Sequence, residues 1–163
     1  MNPVAPLDAT NLRLLAELSA DPRMSMSELA RRVGMSSPAV TERVQRLEQT
    51  GVIGGYRLDV DPRALGYPVA AFVRIRPGPG QLRRIVELAE RTPEVVECHR
   101  ITGEDCFLMK VYVTEIDRLE EVLDRFLMHG QTTSSIVQSS PVKLRPLAPP
   151  RGGLGRTAGQ ASS

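Results

Sequence analysis

The sequence has only two cysteines, Cys98 and Cys106, and no Cys-x-x-Cys spacing. That excludes a disulfide framework and gives no support for a structural zinc site. It has only two histidines, His99 and His129, and neither stands in a metal-ligand spacing or beside a nucleophile in a pattern that would suggest catalysis. No apolar run approaches the roughly 20 residues that a membrane-crossing helix needs. The opening residues MNPVAPLDAT lack the basic and apolar regions of a secretory signal. These absences place the protein in the cytoplasm and predict no membrane partner, no metal and no cofactor. An excess of charge is lacking too. Residues 1–60 carry seven basic and seven acidic side chains and residues 61–150 twelve of each, so the net charge of +2 comes from Arg151 and Arg156. A globally basic footprint for nucleic acid is therefore absent, and any such surface must be local.

The sequence is 41% hydrophobic and 25% charged over 163 residues, the balance of an ordinary globular protein. Its first sixty residues predict three helices and a small hairpin. Leu12, Leu15 and Leu18 or Leu14 give the first helix an apolar stripe. Ser25 with Glu28 has capping-box spacing at the start of the second, which carries Leu29, Ala30 and Val33. Gly34 breaks that helix, and Ser36 or Ser37 followed by Pro38 opens the third. Val40, Val44 and Leu47 fall at i, i+4 and i+7, a narrow packing face that leaves the rest of the third helix polar. After Gly51, the alternation in VIGGYRLDVD around Gly54-Gly55 predicts a hairpin wing.

The stretch SELARRVGMSSPAVTERVQRLEQTG has the grammar of a helix-turn-helix. A small residue, Ala30, sits where two helices cross, and Gly34 makes the sharp turn. Val40 and Val44 anchor a second helix whose first turns can face the major groove. Ser36, Ser37 and Thr41 stand where hydroxyls could meet phosphates, and Glu42, Arg43, Gln45 and Arg46 could reach bases or backbone. Arg31 and Arg32 on the supporting helix and Arg57 in the wing are candidate phosphate contacts. Each of these residues taken alone reads better as part of a solvated helix face, and the complete pattern is far more specific than its parts.

The two prolines and glycine of DPRALGYP, without periodicity, predict a hinge over 61–68. Beyond it the elements run strand (69–76), helix (81–91), strand (95–102), strand (106–113), helix (115–128) and strand (132–142). Gly103, Glu104 and Asp105 make the turn between the central strands, and Thr114 and Asp117 cap the second helix. This β-α-β-β-α-β order predicts a ferredoxin-like sandwich over 69–145 with one sheet face uncovered, and another copy of the chain is the simplest cover for that face. The fold class is α+β, a winged helix-turn-helix over 7–60 followed by this sandwich. Residues 146–163, rich in Pro, Gly, Ser and Ala, predict a disordered tail.

From Leu7 to about Pro146 the chain resembles the leucine-responsive regulatory protein and asparagine-regulator (Lrp/AsnC, or feast/famine) family. The residues that carry the resemblance are LDATNLRLLAELSADPRMSMSELARRVGMSSPAVTERVQRLEQTGVIGGYRLDVDPRALG, then PEVVECHRITGEDCFLMKVYV, then GQTTSSIVQSSPV. The resemblance implies a transcriptional regulator that binds double-stranded DNA as a homodimer, assembles into tetramers or octamers, and responds to an amino-acid effector at the nucleoid. It makes the second domain an effector-binding domain of the RAM type. By position it implies that the effector lies near Thr102, Gly103, Glu104 and Asp105, with Thr132, Thr133, Ser134 and Ser135 as neighbours. An amino-acid carboxylate would suit backbone N–H groups around Gly103, and an ammonium would suit Asp105 or Glu104. Asn11 and Cys106 depart from the family pattern, which often has an acidic residue and an aromatic one there. Two readings compete with this one: an architectural nucleoid protein with little sequence preference, and an enzyme resembling the sirohaem decarboxylases that share the architecture.

Overall fold

The computed structural model describes residues 7–147. Three helices come first: α1 (Ala9–Ala20), α2 (Met26–Val33) and α3 (Ser37–Gln49). Asp8 caps α1, its side chain accepting from the Asn11 N–H at 2.6 Å. Ser25 caps α2 by accepting from the Glu28 N–H at 3.2 Å. The expected box is only half formed, because the Glu28 carboxylate is taken by Arg31 and Arg32 instead of reaching back. Ser36 occupies the α3 cap without a side-chain hydrogen bond, and Pro38 in the first turn forfeits no helical bond. Leu14, Leu18, Leu29, Ala30, Val33, Val40 and Val44 close into one core.

The wing hairpin does not form. Residues 54–60 contain no strand, Leu58 is 88% exposed, and Tyr56 lies half-exposed with its hydroxyl donating to Glu48 Oε1 at 3.1 Å. Primed hairpin turns need positive φ at their first central residue. Here Gly55 has positive φ and Gly54 does not, so the dipeptide cannot make the turn its composition suggested. The expected hinge is also more ordered than its prolines implied. Pro62–Leu65 is a 3-10 turn, capped by the Asp61 side chain and ended by Gly66 at φ 86.

Asp59–Lys143 is a compact unit of its own. It contains β1 (Val69–Pro77), α4 (Leu82–Arg91), β2 (Val95–Arg100), β3 (Phe107–Val113), α5 (Ile116–Leu127) and β4 (Gly130–Ile136). The antiparallel sheet has the order β2-β3-β1-β4. Ala71, Val73 and Ile75 of β1, with Phe107, Met109 and Val111 of β3, pack against Ile85 and Ala89 of α4 and Leu119, Val122 and Phe126 of α5. The alternate residues of β1 are exposed, so both helices lie on one face and the other is open. Leu82, Val86 and Ile116, counted on the apolar stripes, remain 37–54% exposed. Glu115, not Thr114 or Asp117, occupies the α5 cap, and makes no side-chain cap bond.

The last strand begins and ends earlier than its composition indicated. Gly130 opens it against the backbone of Arg76 and Pro77, an approach only a residue without a Cβ allows. The Val137 N–H makes a last bond to Ala70 O at 2.8 Å, and Pro141 soon after has no N–H to continue a ladder. Of the expected tail, residues 148–163 lie outside the described residues.

Candidate nucleic-acid interface and effector site

Gly34, at φ 72 and ψ 38, ends α2 in the left-handed conformation that suits glycine. The Met35 N–H then closes the turn on Ala30 O at 2.9 Å. Val40, Val44 and Leu47 are buried, which leaves the opposite side of α3 to solvent. On that side Glu42, Gln45 and Arg46 are exposed, and no described residue engages their side chains. Ser36 is exposed and Ser37 half-buried, while the Thr41 hydroxyl donates to Ser37 O at 2.9 Å and keeps its acceptor lone pairs free. Arg57 is exposed in the extended segment after α3.

The remaining cations of this group are already engaged. Arg32 bonds Glu28 Oε1 and Glu17 Oε2, both at 2.9 Å, while Arg31 reaches Glu28 Oε2 from Nε at 3.0 Å but stays 78% exposed. The Arg32 and Arg31 hydrogen bonds hold the Glu28 carboxyl below the usual range. Arg43 Nη1 donates to Asp8 Oδ2 at 2.7 Å and to Asn11 Oδ1 at 3.0 Å. Arg43 thus ties α3 to the start of α1. The backbone N–H of Asn11 and the Arg43 guanidinium together hold Asp8 below the ordinary aspartate value. Asp8 and Asn11 were not among the expected functional residues, although an aspartate just ahead of a helix is a visible capping signal. These residues border a cleft of about 530 Å³ that also meets Glu42, Arg46 and Thr50.

The second site sits at one end of the sheet. The β2–β3 loop closes with the Ile101 N–H on Cys106 O at 2.9 Å, and Gly103 turns it at φ 112. Thr102, Gly103 and Glu104 are exposed and Asp105 is half-buried. Register places Arg74 opposite Thr133, and Phe72 opposite Ser135, on the open face. Thr132 and Ser134 face the helix side, opposite Ile75 and Val73. The four hydroxyl residues therefore divide between the two faces of β4. Strand β1 lies between the loop and β4, and it contributes two residues that the sequence reading missed. Arg76 bonds Glu104, while Asp105 lies 3.9 Å from the Nε atoms of both Arg74 and Arg76. The signal was the alternation Phe72, Arg74, Arg76 in a strand whose other residues are apolar. Guanidinium, carboxylate and hydroxyl groups side by side complement a zwitterion.

His99 approaches Glu97 at 3.5 Å on the open face, and His129 Nδ1 meets Gln81 Oε1 at 2.9 Å. Among the described residues, no three His, Cys, Asp or Glu side chains are grouped to hold a metal. None of the described helices is long and apolar enough to cross a membrane.

Comparison with known proteins matches residues 7–53 to a winged helix-turn-helix DNA-binding domain and residues 70–147 to the Lrp/AsnC ligand binding domain. The HTH-type transcriptional regulator LrpC of Bacillus subtilis is 33% identical over 133 residues, spanning 82% of this chain and 92% of its own length. The HTH-type transcriptional regulator LrpA of Mycobacterium tuberculosis is 37% identical over 139 residues, or 85% of this chain and 90% of its own. The solved structure of a feast or famine regulatory protein from M. tuberculosis complexed with L-methionine superposes with a TM-score of 0.82. It is 36% identical, and the match covers 88% of this chain and 99% of that one.

Proposed function

Because this chain belongs to the Lrp/AsnC family of helix-turn-helix transcriptional regulators, we propose that it reads operator DNA with α3 as a homodimer, or as a tetramer or octamer assembled from such dimers. An amino acid held beside the β2–β3 loop changes that binding. The observation that carries the DNA half is the division of α3: Val40, Val44 and Leu47 anchor it while Glu42, Gln45 and Arg46 stay exposed and unengaged. Those three are the base-reading or phosphate-contacting set, with Ser36, Ser37 and Thr41 near the helix start and Arg31 and Arg57 at the phosphates. Arg43 and Arg32 act by holding the helices in place. The effector half is supported by the charged loop–strand cluster and by the methionine complex of the M. tuberculosis relative.

Dimerisation through the open sheet face would bury Phe72, which is 40% exposed, and a dimer that reads a pseudo-palindromic site needs its half-sites about 34 Å apart on the duplex. The protein works by binding rather than catalysis, in the cytoplasm at the nucleoid. The test is an anisotropy titration of the full chain against its own upstream region and a scrambled duplex, at fixed salt, with and without amino acids. Preferential binding that amino acids alter is expected. Equal affinity for both duplexes would indicate phosphate contacts without base reading, and no binding to either would overturn the assignment.

A further inference from the structure

We infer that Glu42 sets the base at one position of each half-site, by accepting a hydrogen bond from the N4 amino group of a cytosine in the major groove. This rests on the DNA-reading assignment of α3 above and names the residue that makes one step of that reading selective. Val40, Val44 and Leu47 line the buried side of α3. Glu42 lies two residues from each valine, about 200° around the helix from both, so it stands at the middle of the opposite, exposed side. It also falls in the first half of α3, the half whose side chains meet base edges when such a helix enters the groove.

The charge of Glu42 is handled unlike the others around it. The segment 7–53 has six acidic residues, and five of them have partners among the described residues. Asp8 accepts from Arg43, Glu17 from Arg32, and Glu28 from Arg31 and Arg32. Asp21 accepts from the Arg23 N–H, and Glu48 from the Tyr56 hydroxyl. The Glu42 carboxylate bonds to no described residue, although Arg46 stands four positions on, the spacing of a helical ion pair. A bare carboxylate brought to a duplex is repelled by the phosphates, which offer it no donor. Base edges do offer donors, but not equally. Guanine O6 and N7 and thymine O4 are acceptors and repel it, and adenine sets the acceptor N7 beside its N6 donor. Cytosine offers its N4 donor with no acceptor of its own on that edge. The preference at the Glu42 position is therefore cytosine, then adenine, then guanine and thymine. Arg46, one turn along the same side, supplies a positive charge that offsets the repulsion.

The experiment selects sites from a random duplex pool with the full-length protein at fixed salt, using wild type, Glu42→Ala and Glu42→Gln. Anisotropy then compares the selected site carrying each of the four bases at the position that changes. Both variants replace a side chain that has no partner among the described residues, so neither should alter the fold. A good base contact discriminates about 5- to 100-fold, and wild type should prefer cytosine by a factor in that range. Glu42→Ala should bind the four duplexes within about threefold of one another. It should also bind a scrambled duplex at least as tightly as wild type does, because a repelled charge is gone. Glu42→Gln should move the preference to adenine, whose N6 and N7 a carboxamide meets bidentately. Three results overturn the assignment of Glu42 while leaving DNA reading by α3 standing: a selected site unchanged in both variants, a wild-type base other than cytosine at the relaxed position, or an equal loss of affinity for selected and scrambled duplexes. If wild type selects no sequence, base reading itself falls, and this proposal with it.

Discussion

Replacing Gly130 with alanine is expected to destabilise the sheet unit strongly, for a reason confined to one contact. A Cβ built at Gly130 would lie 2.3 Å from Arg76 O, and 3.0 Å from both Arg76 C and Pro77 Cα. All three atoms are backbone, so no rotamer change relieves the clash. A carbon and a carbonyl oxygen rest at roughly 3.3–3.6 Å even in favourable contact, so β4 must retreat by about 1 Å where it joins β1. Forced repacking of that kind costs about 1–3 kcal/mol, and a disturbed ladder hydrogen bond adds about 1 kcal/mol. Against this, alanine reduces the freedom of the unfolded chain and contributes only about 0.4–1 kcal/mol in favour of folding. The net loss is about 1–3.6 kcal/mol, which for a unit of this size lowers the melting temperature by roughly 4–29 °C. Gly78 provides the control. Its added Cβ would meet His129 O at 3.5 Å and Gln81 Cγ at 3.6 Å, which is ordinary contact, so Gly78→Ala should stay within about 0.5 kcal/mol of wild type. Thermal denaturation by circular dichroism reads both variants. A Gly130→Ala protein melting within a few degrees of wild type, or an equal loss in Gly78→Ala, would refute the reasoning.

Glu94 should govern part of the acid stability. Burial by itself raises its pKa, but its own backbone N–H and the Arg118 and Arg125 guanidinia outweigh that and hold it below the ordinary glutamate value. A carboxyl lowered in the folded state stabilises above its unfolded pKa of ~4.3, and the benefit is lost as pH falls through the folded value. Urea midpoints should therefore separate wild type from Glu94→Gln at pH 7 and converge at low pH; a constant separation would contradict the ion pairing. Arg46→Ala should weaken DNA binding and, if Arg46 meets a phosphate, reduce the salt slope by about one. Arg43→Ala should weaken binding with the slope retained, and Asp8→Asn, which preserves the cap, should do the same. A reduced slope in Arg43→Ala would return it to the contact surface. Ser25→Ala should cost about 1 kcal/mol in chemical denaturation through the lost bond to the Glu28 N–H; no change would mean that water replaces the cap.

Periodicity made the helices and the sheet order legible, because burial is a regular function of position along an element. Val40, Val44 and Leu47 announce the buried side of α3, and the alternation in β1 and β3 announces a one-sided sheet. What depended on a single torsion or a single partner was not legible. Gly54-Gly55 looks like a turn by composition, yet φ at Gly54 decides against it. Ser25 and Glu28 have the box spacing, but arginines at i+3 and i+4 from Glu28 compete for its carboxylate and win. The candidate effector residues on the loop and β4 came from resemblance, whereas the alternation in β1 exposes Arg74 and Arg76 in the sequence and only strand register places them between the two. Arg43 reads as one more polar residue on α3 until its partners, more than thirty positions away in the chain, are known.

The alternation of β1 also separates stability from recognition along one strand. Ala71, Val73 and Ile75 are fully buried against α4 and α5, while Phe72, Arg74 and Arg76 stand on the open face. A strand has period two, so no substitution on one face need disturb packing on the other. Val73→Ala removes buried methyl groups and should lower stability without selecting among ligands. Arg74→Gln leaves the core intact and should have little effect on stability, since its charged partner is partly solvated. The same strand lies between the loop that carries Glu104 and Asp105 and the hydroxyl-bearing strand β4. Phe72, Arg74 and Arg76 on the open face can therefore be substituted while Ala71, Val73 and Ile75, which fold the domain, stay as they are.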